Sequence, residues 1–348
     1  MEAEGSLFTP ISCTGAASGP SGLAAFGAAI VSSFQDTGFA VLVDTPIPAE
    51  VISGAAAAST EFFALDEEAK MAFHDPAGAG QRGYTPFGLE HAKQNDKSTR
   101  DIKEFFHVGR NMDRTELTAS PEWERDAALV ERVMKATPSV GAVDGFDAAT
   151  YALYEALDEF GRGTVLEAIA VALGLGEGYF SAGTQEGNSI LRLLHYPPQE
   201  EVPPEGSIRA AAHEDISVIT LLLGADEAGL QVLHRSGVWL DISPPPGALV
   251  INCGDTLQRL TGGILPSTTH RVINPVPERA MKPRYSCPFF LHFAPDYLIT
   301  PIPGATNPQP PVLADDYLMQ RLAAIGLVNH DDAPETDNPA TATATATD

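Results

Sequence analysis

The stretch H-E-D-I-S-V-I-T-L-L-L, residues 213–223, decides the fold of this chain. Its last eight residues are mostly apolar and β-branched, which is typical of a buried strand. His213 and Asp215 stand two positions apart at the start of this run. Because side chains alternate between the two faces of a strand, we expect both to point to the same side. The stretch therefore predicts a strand that presents two metal-binding residue types together.

A third residue of this kind, His270, lies in the β-rich run S-T-T-H-R-V-I-N. Two imidazoles and one carboxylate can hold a divalent metal on one face and leave the other face open, which suits non-haem Fe(II). A bare H-x-D pair is a weak signal in a chain with nine histidines, and an ordinary hydrogen-bonded His270 is the alternative. We favour the metal site because Arg284 and Ser286 follow in order. Three further histidines in β-like segments are expected to be structural: His195, His234 and His292.

Short β-rich runs recur evenly in the second half of the chain, separated by Gly and Pro. This spacing predicts a double-sheet jelly roll, whose two sheets form an open-ended cleft. We therefore expect an α+β fold with a mainly β core, a double-stranded β-helix (jelly roll) flanked by N-terminal and central helices. The runs are 189–194, 208–212, 216–223, 229–234, 238–242, 248–252, 268–274 and 284–293.

Helical periodicity dominates the region before these runs. Residues 20–34 have apolar side chains at helical spacing, and Gly38 is expected to end that helix before a strand at Phe39–Val43. Pro48 opens a second helical stretch. A long central helix is predicted over 146–173.

The chain has no internal repeat and no central linker, so we expect one elaborated domain over residues 1–330. The polar stretch 111–145 is predicted to be a surface excursion. The final segment, 331–348, has low complexity and lacks large apolar residues, so it is expected to be disordered or to lie along the surface. Three regions are distinguished within the domain: an N-terminal region at 1–110, the helix at 146–173 and the β-rich core at 186–296.

The charge balance is strongly acidic, with 21 basic and 46 acidic residues and a formal net charge of −25. Binding to nucleic acid or to an anionic membrane surface needs a basic patch, so neither partner is expected. A negative field would attract a cationic, amine-bearing small molecule. Solubility is the alternative explanation of the charge, and we give it more weight.

Cysteine use and the first residues indicate a cytoplasmic protein. Cys13, Cys253 and Cys287 show no C-x-x-C spacing, so neither disulfides nor structural zinc are expected. The start M-E-A-E-G-S-L lacks the basic region of a signal peptide. The apolar stretch 23–31 is too short to span a bilayer.

Most of the chain resembles the isopenicillin N synthase-like branch of the Fe(II)/2-oxoglutarate-dependent dioxygenases. Matching blocks occur in family order, and the metal and R-x-S motifs are specific in combination. The blocks are D-T-G-F-A-V-L (36–42), F-F-A-L-D-E-E-A-K (62–70), R-G-Y (82–84), D-I-K-E-F-F-H-V-G (101–109), L-R-L-L-H-Y-P-P (191–198), A-H-E-D (212–215), P-P-G-A-L-V-I-N-C-G-D (245–255), T-G-G (261–263), S-T-T-H-R-V (267–272) and R-Y-S (284–286).

The resemblance implies that Arg284 and Ser286 bind the distal carboxylate of 2-oxoglutarate. A guanidinium can grip a carboxylate with two parallel hydrogen bonds, and a hydroxyl two residues along the same strand face adds a third. Tyr196 matches an aromatic position of the family and is a further expected contact. Leu194 stands where plant members often have Asn, and Arg192 is a weak candidate for the same pocket.

The resemblance also implies the reaction and its cofactors. Fe(II), 2-oxoglutarate and O2 would oxidise a small molecule by hydroxylation, desaturation or ring closure, with release of succinate and CO2. Substrate contacts are expected from the N-terminal helices, the R-G-Y loop with Arg82 and Tyr84, the 101–109 block and the segment after Pro295. Two alternatives stay open: an oxidase that uses the same residues without 2-oxoglutarate, and a non-catalytic binding protein on this scaffold. The sequence does not identify the substrate or the oligomeric state.

Overall fold

Helices occupy most of the first half of the structure, and a final helix follows the last strand. No helix among the described residues has both the length and the apolar character needed to cross a membrane. The helices are α1 (Pro20–Thr37), α2 (Ala49–Phe63), α3 (Glu67–Met71), α4 (Phe146–Phe160), α5 (Glu167–Ala172), α6 (Ser181–Thr184), α7 (Asp255–Thr261) and α8 (Ala314–Ala324). The structure is a computed structural model that describes residues 8–75, 81–89, 103–111, 135–198, 208–223, 229–273 and 281–324.

Strands dominate the second half, as the sequence predicts. The first four are β1 (Ile11–Ser12), β2 (Phe39–Val43), β3 (Gly83–Thr85) and β4 (Glu104–Gly109). The others are β5 (Ile190–Tyr196), β6 (Ile208–His213), β7 (Ile219–Leu223), β8 (Leu230–Leu233), β9 (Trp239–Asp241), β10 (Leu249–Cys253), β11 (His270–Ile273), β12 (Arg284–Ser286), β13 (Pro288–Leu291), β14 (Leu298–Ile299) and β15 (Val312–Leu313).

Two sheets pack face to face to form the core. The nine-stranded sheet has the order β1-β2-β10-β7-β13-β5-β4-β3, with β12 also paired to β5, and the four-stranded sheet has the order β6-β11-β8-β9. Phe39 and Val250 of the larger sheet share one apolar cluster with Leu230 and Val232 of the smaller sheet. The expected jelly roll with a mainly β core is confirmed.

Helices cover the opposite face of the larger sheet. Tyr154 of α4 packs its ring edge-on against Phe289 of β13, with 5.1 Å between the ring centroids. A π-helical turn, Gly161–Leu166, joins α4 to α5, so the helix predicted over 146–173 is a composite of three segments. Such turns are rare and depart from the regular i to i+4 bonding of an α-helix. The helix layer therefore covers one face of the larger sheet, and the other face is turned towards the smaller sheet.

The N-terminal elements agree closely with the sequence pattern. Gly38 caps α1 with a left-handed backbone (φ 76°), a conformation that glycine adopts without steric cost. Pro48 is the N-cap of α2, whose last residues, Phe62 and Phe63, are buried. The strand at Phe39–Val43 pairs with β10 in the larger sheet.

Three features differ from the sequence expectation. His213 and Asp215 do not begin the strand that follows them, since His213 ends β6 and Asp215 lies in the connection to β7. The run 284–293 is interrupted at Cys287, which separates β12 from β13. Helix α8 has no counterpart among the helices that the sequence pattern predicts.

Some expectations concern residues that the structure does not describe. The segment 331–348 lies outside the described residues, as does most of the stretch 111–145. The single-domain assignment over 1–330 stays a prediction.

A close helix contact gives a test of this packing. Gly27 of α1 faces the backbone of Ala168 on α5, and a Cβ at position 27 would collide with the Ala168 carbonyl oxygen. We expect Gly27→Ala to lower the free energy of unfolding by about 1–3 kcal/mol, the usual cost of overpacking. Urea denaturation followed by circular dichroism measures this change.

The matched control is Gly54→Ala in α2, where a Cβ would meet nothing within 4 Å. That substitution should stabilise the protein by about 0.5–1 kcal/mol, because alanine loses less backbone entropy in a helix. Equal effects of the two substitutions would contradict the close packing of α1 on α5.

Candidate metal centre

The three predicted metal ligands lie together between the two sheets. His213 is the last residue of β6, and His270, the first residue of β11, is its direct antiparallel partner. Their ring centroids are 4.3 Å apart. Asp215 reaches the pair from the connection between β6 and β7, and one ligand atom from each residue lies within 4.8 Å of the others.

Backbone carbonyls orient both imidazole rings. His213 Nδ1 lies 2.7 Å from the carbonyl oxygen of Ala211, and His270 Nδ1 lies 3.2 Å from that of Thr268. A ring that donates through Nδ1–H keeps the lone pair of Nε2 available for a metal. Each Nε2 is 3.9 Å from Oδ1 of Asp215, so the three atoms face a common point.

The second oxygen of Asp215 is held by two neighbouring strands. Oδ2 accepts hydrogen bonds from Thr220 Oγ1 at 2.6 Å and from Asn252 Nδ2 at 2.8 Å. Thr220 on β7 and Asn252 on β10 are direct cross-strand partners, so the two donors sit side by side. These bonds fix the carboxylate with Oδ1 turned towards the histidines.

The surroundings set the charge of these groups. Burial, reinforced by the neighbouring His270, lowers the pKa of His213 to about 4, so its ring is neutral and can donate a lone pair. Burial alone would raise the pKa of Asp215, but the neighbouring His270 and the hydrogen bonds from Thr220 and Asn252 hold this pKa below its ordinary value. A carboxylate oxygen and two imidazole nitrogens converging from one side are the donor set that suits non-haem Fe(II).

The residues expected to bind the co-substrate lie on two paired strands of the larger sheet, β12 and β5. Arg284 of β12 is the direct partner of Tyr196 on β5, and its guanidinium carbon is 5.4 Å from the centre of that ring. Arg284 is only 5% exposed. Ser286 is two residues further along β12, opposite Leu194 and on the same strand face as Arg284.

Sequence reasoning missed a second buried cation in this region. The guanidinium carbon of Arg209 lies 5.8 Å from the same Tyr196 ring, and Arg209 is 5% exposed. Arg209 stands four residues before His213 on β6. In a regular strand this even spacing places the side chains of Arg209 and His213 on the same face. The spacing could therefore have indicated Arg209 as a residue near the site.

A cavity of about 150 Å³ opens beside the candidate ligands. His213 and Asp215 line it, together with residues of the larger sheet. Arg192, a weak candidate for the co-substrate pocket, borders this cavity. So does His292, which was expected to be structural. The further polar or aromatic lining residues are Gln81, His107 of the 101–109 block, Asn188, Glu214, Ser217 and Phe290.

The R-G-Y residues 82–84 do not line the cavity, but Arg82 holds a residue that does. Arg82 is buried and donates to Asn188 Oδ1 at 2.5 Å and to the carbonyl oxygen of Lys135 at 3.0 Å. Gln81, the residue before the loop, is the neighbour that reaches the cavity wall. Arg82 therefore orients Asn188, which lines the cavity in its place.

Tyr84 and His195 both contact a buried carboxylate, that of Glu104. Glu104 accepts hydrogen bonds from Lys70 Nζ at 2.7 Å and Tyr84 Oη at 2.5 Å, and it lies 2.8 Å from His195 Nδ1. Tyr84 and His195 are thus parts of a structural network. His234, next to Ser236 at 2.8 Å, is away from the cavity lining.

Helix α8 closes one side of the cavity with Leu318 and Leu322. Its Arg321 pairs with Asp255 at the start of α7, with 2.7 Å between Nη2 and Oδ2. The same nitrogen lies 3.8 Å from Glu214, the residue between the two ligands His213 and Asp215. The helix is therefore attached to the segment that carries the candidate metal ligands.

Two protein-family models match the chain. The model described as the 2OG-Fe(II) oxygenase superfamily matches residues 187–293. The model described as non-haem dioxygenase in morphine synthesis, N-terminal, matches residues 10–131. The first range contains all three candidate ligands together with Arg284 and Ser286.

Known proteins match over nearly the whole length. The chain is 32% identical to the 2-oxoglutarate-Fe(II) type oxidoreductase hxnY of Emericella nidulans, over 82% of this chain and 80% of that protein. The crystal structure of a 2OG-Fe(II) oxygenase family protein from Caulobacter crescentus is 44% identical, with a TM-score of 0.80 over 92% of this chain and 100% of that one. A full-length Neurospora crassa protein in complex with alpha-KG is 28% identical, with a TM-score of 0.78 over 93% and 98% of the two chains. The chain therefore belongs to the 2OG-Fe(II) oxygenase superfamily, as a dioxygenase whose cofactors are Fe(II) and 2-oxoglutarate.

Proposed function

We propose that His213, Asp215 and His270 are the Fe(II) ligands of this enzyme, and that Arg284 and Ser286 bind the distal carboxylate of 2-oxoglutarate. The observation that carries the proposal is the convergence of three ligand atoms within 4.8 Å of one another. The remaining polar atom of each ligand side chain has its own hydrogen-bond partner, which supports a role for the converging atoms in metal binding.

The chain's own contribution to the reaction is binding and orientation. In this family bound Fe(II) would activate O2, which is the oxidant: one oxygen atom would go into succinate as 2-oxoglutarate loses CO2, and the other would serve to oxidise the substrate. Thr220 and Asn252 hold the Asp215 carboxylate so that one oxygen remains for the metal. Leu318 and Leu322 of α8 give the cavity an apolar wall, which would reduce the access of water to the site.

The burial of Arg284 supports its role in co-substrate binding. A buried guanidinium favours an anionic partner, and its planar fork matches a carboxylate with two parallel hydrogen bonds. Ser286 on the same strand face can donate a third bond through its hydroxyl. Tyr196, whose ring centre lies 5.4 Å from the guanidinium carbon of Arg284 and 5.8 Å from that of Arg209, is proposed as a further contact.

The substrate is proposed to be a small polar metabolite of secondary metabolism, changed by hydroxylation, desaturation or ring closure. The cavity of about 150 Å³ favours a small molecule. One structure of the similar Neurospora crassa protein holds alpha-KG and thymine, a compact polar ring, and that relative is 28% identical to this chain. The free cysteines Cys13, Cys253 and Cys287 support a reducing compartment, the cytoplasm.

The amine-bearing substrate suggested by the net charge stays a prediction. Asp215 and Glu214 are the acids of that lining, and both have partners within the protein. Arg192 borders the same space. Neither acid of the lining is therefore without a partner that a substrate amine would have to displace.

Removing any candidate ligand should abolish iron-dependent activity while the protein stays folded. We expect His213→Ala, Asp215→Ala and His270→Ala each to lose 2-oxoglutarate turnover, because two ligands do not complete the metal site. Iron content by atomic absorption and succinate formation by chromatography measure the two effects.

The matched control is His234→Ala, which removes an imidazole outside the cavity and should keep both iron and turnover. A triple variant of the three ligands that retained stoichiometric iron and turnover would place the metal site elsewhere in the chain.

Arg284→Gln should raise the KM for 2-oxoglutarate far more than it changes metal affinity. Loss of a charge-assisted contact to a buried anion costs about 2–5 kcal/mol. The KM of Arg284→Lys for 2-oxoglutarate should lie between that of Arg284→Gln and that of the native enzyme. Lysine keeps the positive charge but lacks the planar guanidinium that makes two parallel hydrogen bonds. An unchanged KM would mean that the co-substrate binds elsewhere.

Ionic strength tests the amine-bearing substrate. If the negative field captures a cation, kcat/KM for the best substrate should fall steeply with salt, because the screening length shortens to about 3 Å at 1 M. The profile is measured with potassium chloride and compared with the salt dependence of 2-oxoglutarate turnover alone. A flat profile would speak against a cationic substrate and leave the iron chemistry untouched.

A further inference from the structure

The cavity beside the candidate ligands has a side-chain amide in its wall, and the orientation of this amide is fixed. Arg82 donates from Nη2 to Asn188 Oδ1 at 2.5 Å. A guanidinium can only donate, so the atom that faces it must be the amide oxygen. Asn188 is 3% exposed and lines the cavity. Its Nδ2 atom has no hydrogen-bond partner among the described residues and remains accessible to solvent, so its N–H groups are left for a ligand.

An imidazole stands next to this amide. The backbone nitrogen of Asn188 donates to the carbonyl oxygen of Phe293 at 3.3 Å, and that of His292 donates to Ser189 Oγ at 3.2 Å. The segments 188–189 and 292–293 are thus joined directly, beyond the ends of β5 and β13. His292 also lines the cavity, and within the part of the chain that the structure describes its ring nitrogens make no hydrogen bond.

The His292 ring offers both a donor and an acceptor. Burial lowers the pKa of His292 to about 4, so the ring is uncharged at neutral pH. An uncharged imidazole carries one N–H and one nitrogen lone pair, whereas Asn188 Nδ2 can only donate. The two neighbouring side chains therefore present a fixed N–H donor beside a lone-pair acceptor.

A ligand that satisfies both groups must itself carry an acceptor beside a donor. An amide does so, because its carbonyl oxygen can accept from Asn188 while its N–H donates to the His292 lone pair. A lactone of the same shape has a ring oxygen where the amide has N–H, so it leaves one of the two bonds unmade. A buried polar group without its partner lowers affinity.

The size and the other walls of the cavity narrow the ligand further. An engineered apolar cavity of about 150 Å³ in another protein holds benzene, so the present cavity of about 150 Å³ fits a molecule with one six-membered ring. Phe290, Leu318 and Leu322 also line it. A flat ring packs well against an aromatic side chain, so these residues favour a planar cyclic compound.

We propose that Asn188 and His292 are specificity-determining residues that bind the amide group of a small cyclic amide substrate. Asn188 Nδ2 donates to the carbonyl oxygen of the substrate, and His292 accepts from its N–H. The rest of the ring lies against Phe290, Leu318 and Leu322. The proposal rests on the oxygenase function proposed above and names the substrate class for the same site.

Three probes with one ring test the proposal: 2-pyridone, which is a cyclic amide, 2-pyrone, which has a ring oxygen in place of the N–H, and phenol, which has a single hydroxyl. Binding is measured by calorimetry without O2, on enzyme loaded with Fe(II) and saturated with 2-oxoglutarate. We expect 2-pyridone to bind at least about tenfold more tightly than 2-pyrone, and more tightly than phenol. Only 2-pyridone makes the two bonds through separate atoms.

Variants locate that selectivity. His292→Phe keeps a flat ring but removes both nitrogens, so it should reduce the preference for 2-pyridone over 2-pyrone to less than about twofold. Asn188→Asp keeps an oxygen for Arg82 but replaces the donor by an acceptor, so it should weaken the binding of both probes at least about fivefold. The matched control is His234→Phe, which changes a histidine outside the cavity lining and should leave all three affinities unchanged.

Equal binding of 2-pyridone and 2-pyrone, tighter binding of phenol, or no binding of 2-pyridone would overturn the proposal. These results come from the native enzyme, so they decide even if a variant fails to fold. A preference for 2-pyridone that His292→Phe leaves intact would overturn it as well, because the amide would then bind a different group. Failure of the proposed oxygenase function is seen separately, as absence of iron binding or of succinate formation before any probe is added.

Discussion

The whole site depends on the buried carboxylate of Asp215. One of its oxygens is bound by Thr220 and Asn252 from adjacent strands of the larger sheet. The other oxygen faces His213 and His270, which belong to the smaller sheet. A buried carboxylate needs such partners, because an uncompensated charge away from water is costly. The carboxylate therefore links the two sheets at the candidate metal site.

Local sequence patterns predicted most of the β-rich region, because alternation and Gly or Pro punctuation are properties of neighbouring residues. They failed at 213–219, where an apolar run suggested that the strand begins at once. In the structure His213 ends β6 by pairing with His270, and β7 starts only at Ile219 in the other sheet. The point at which the chain leaves β6 for the other sheet depends on the pairing of His213 with His270, which is far away in sequence. A local sequence pattern cannot predict such a pairing.

The candidate ligands and the R-x-S pair could be proposed from their residue types and order, but the residues of the cavity wall could not. Arg192 and His107 come from different strands and meet through the register of β4 on β5. The sequence shows a basic residue in an apolar strand without showing what lies across from it. Helix α8 escaped prediction although acidic residues in its first turn and Arg321 in its last turn are favourable helix signals. Its role as a wall depends on contacts with Asp255 and Glu214 that lie far away in sequence.

The pairing of β6 with β11 also determines how a metal would be acquired at the proposed site. In the unfolded chain His213 and Asp215 are neighbours, but His270 is separated from them by a long loop whose closure costs entropy. Contacts of this range form late and make folding slow. Only the folded chain presents all three candidate donors at once, so a metal at the proposed site would bind the native state in preference to the unfolded one. Iron supply and folding would then be thermodynamically linked, and the metal-loaded enzyme would be the more stable form of the chain.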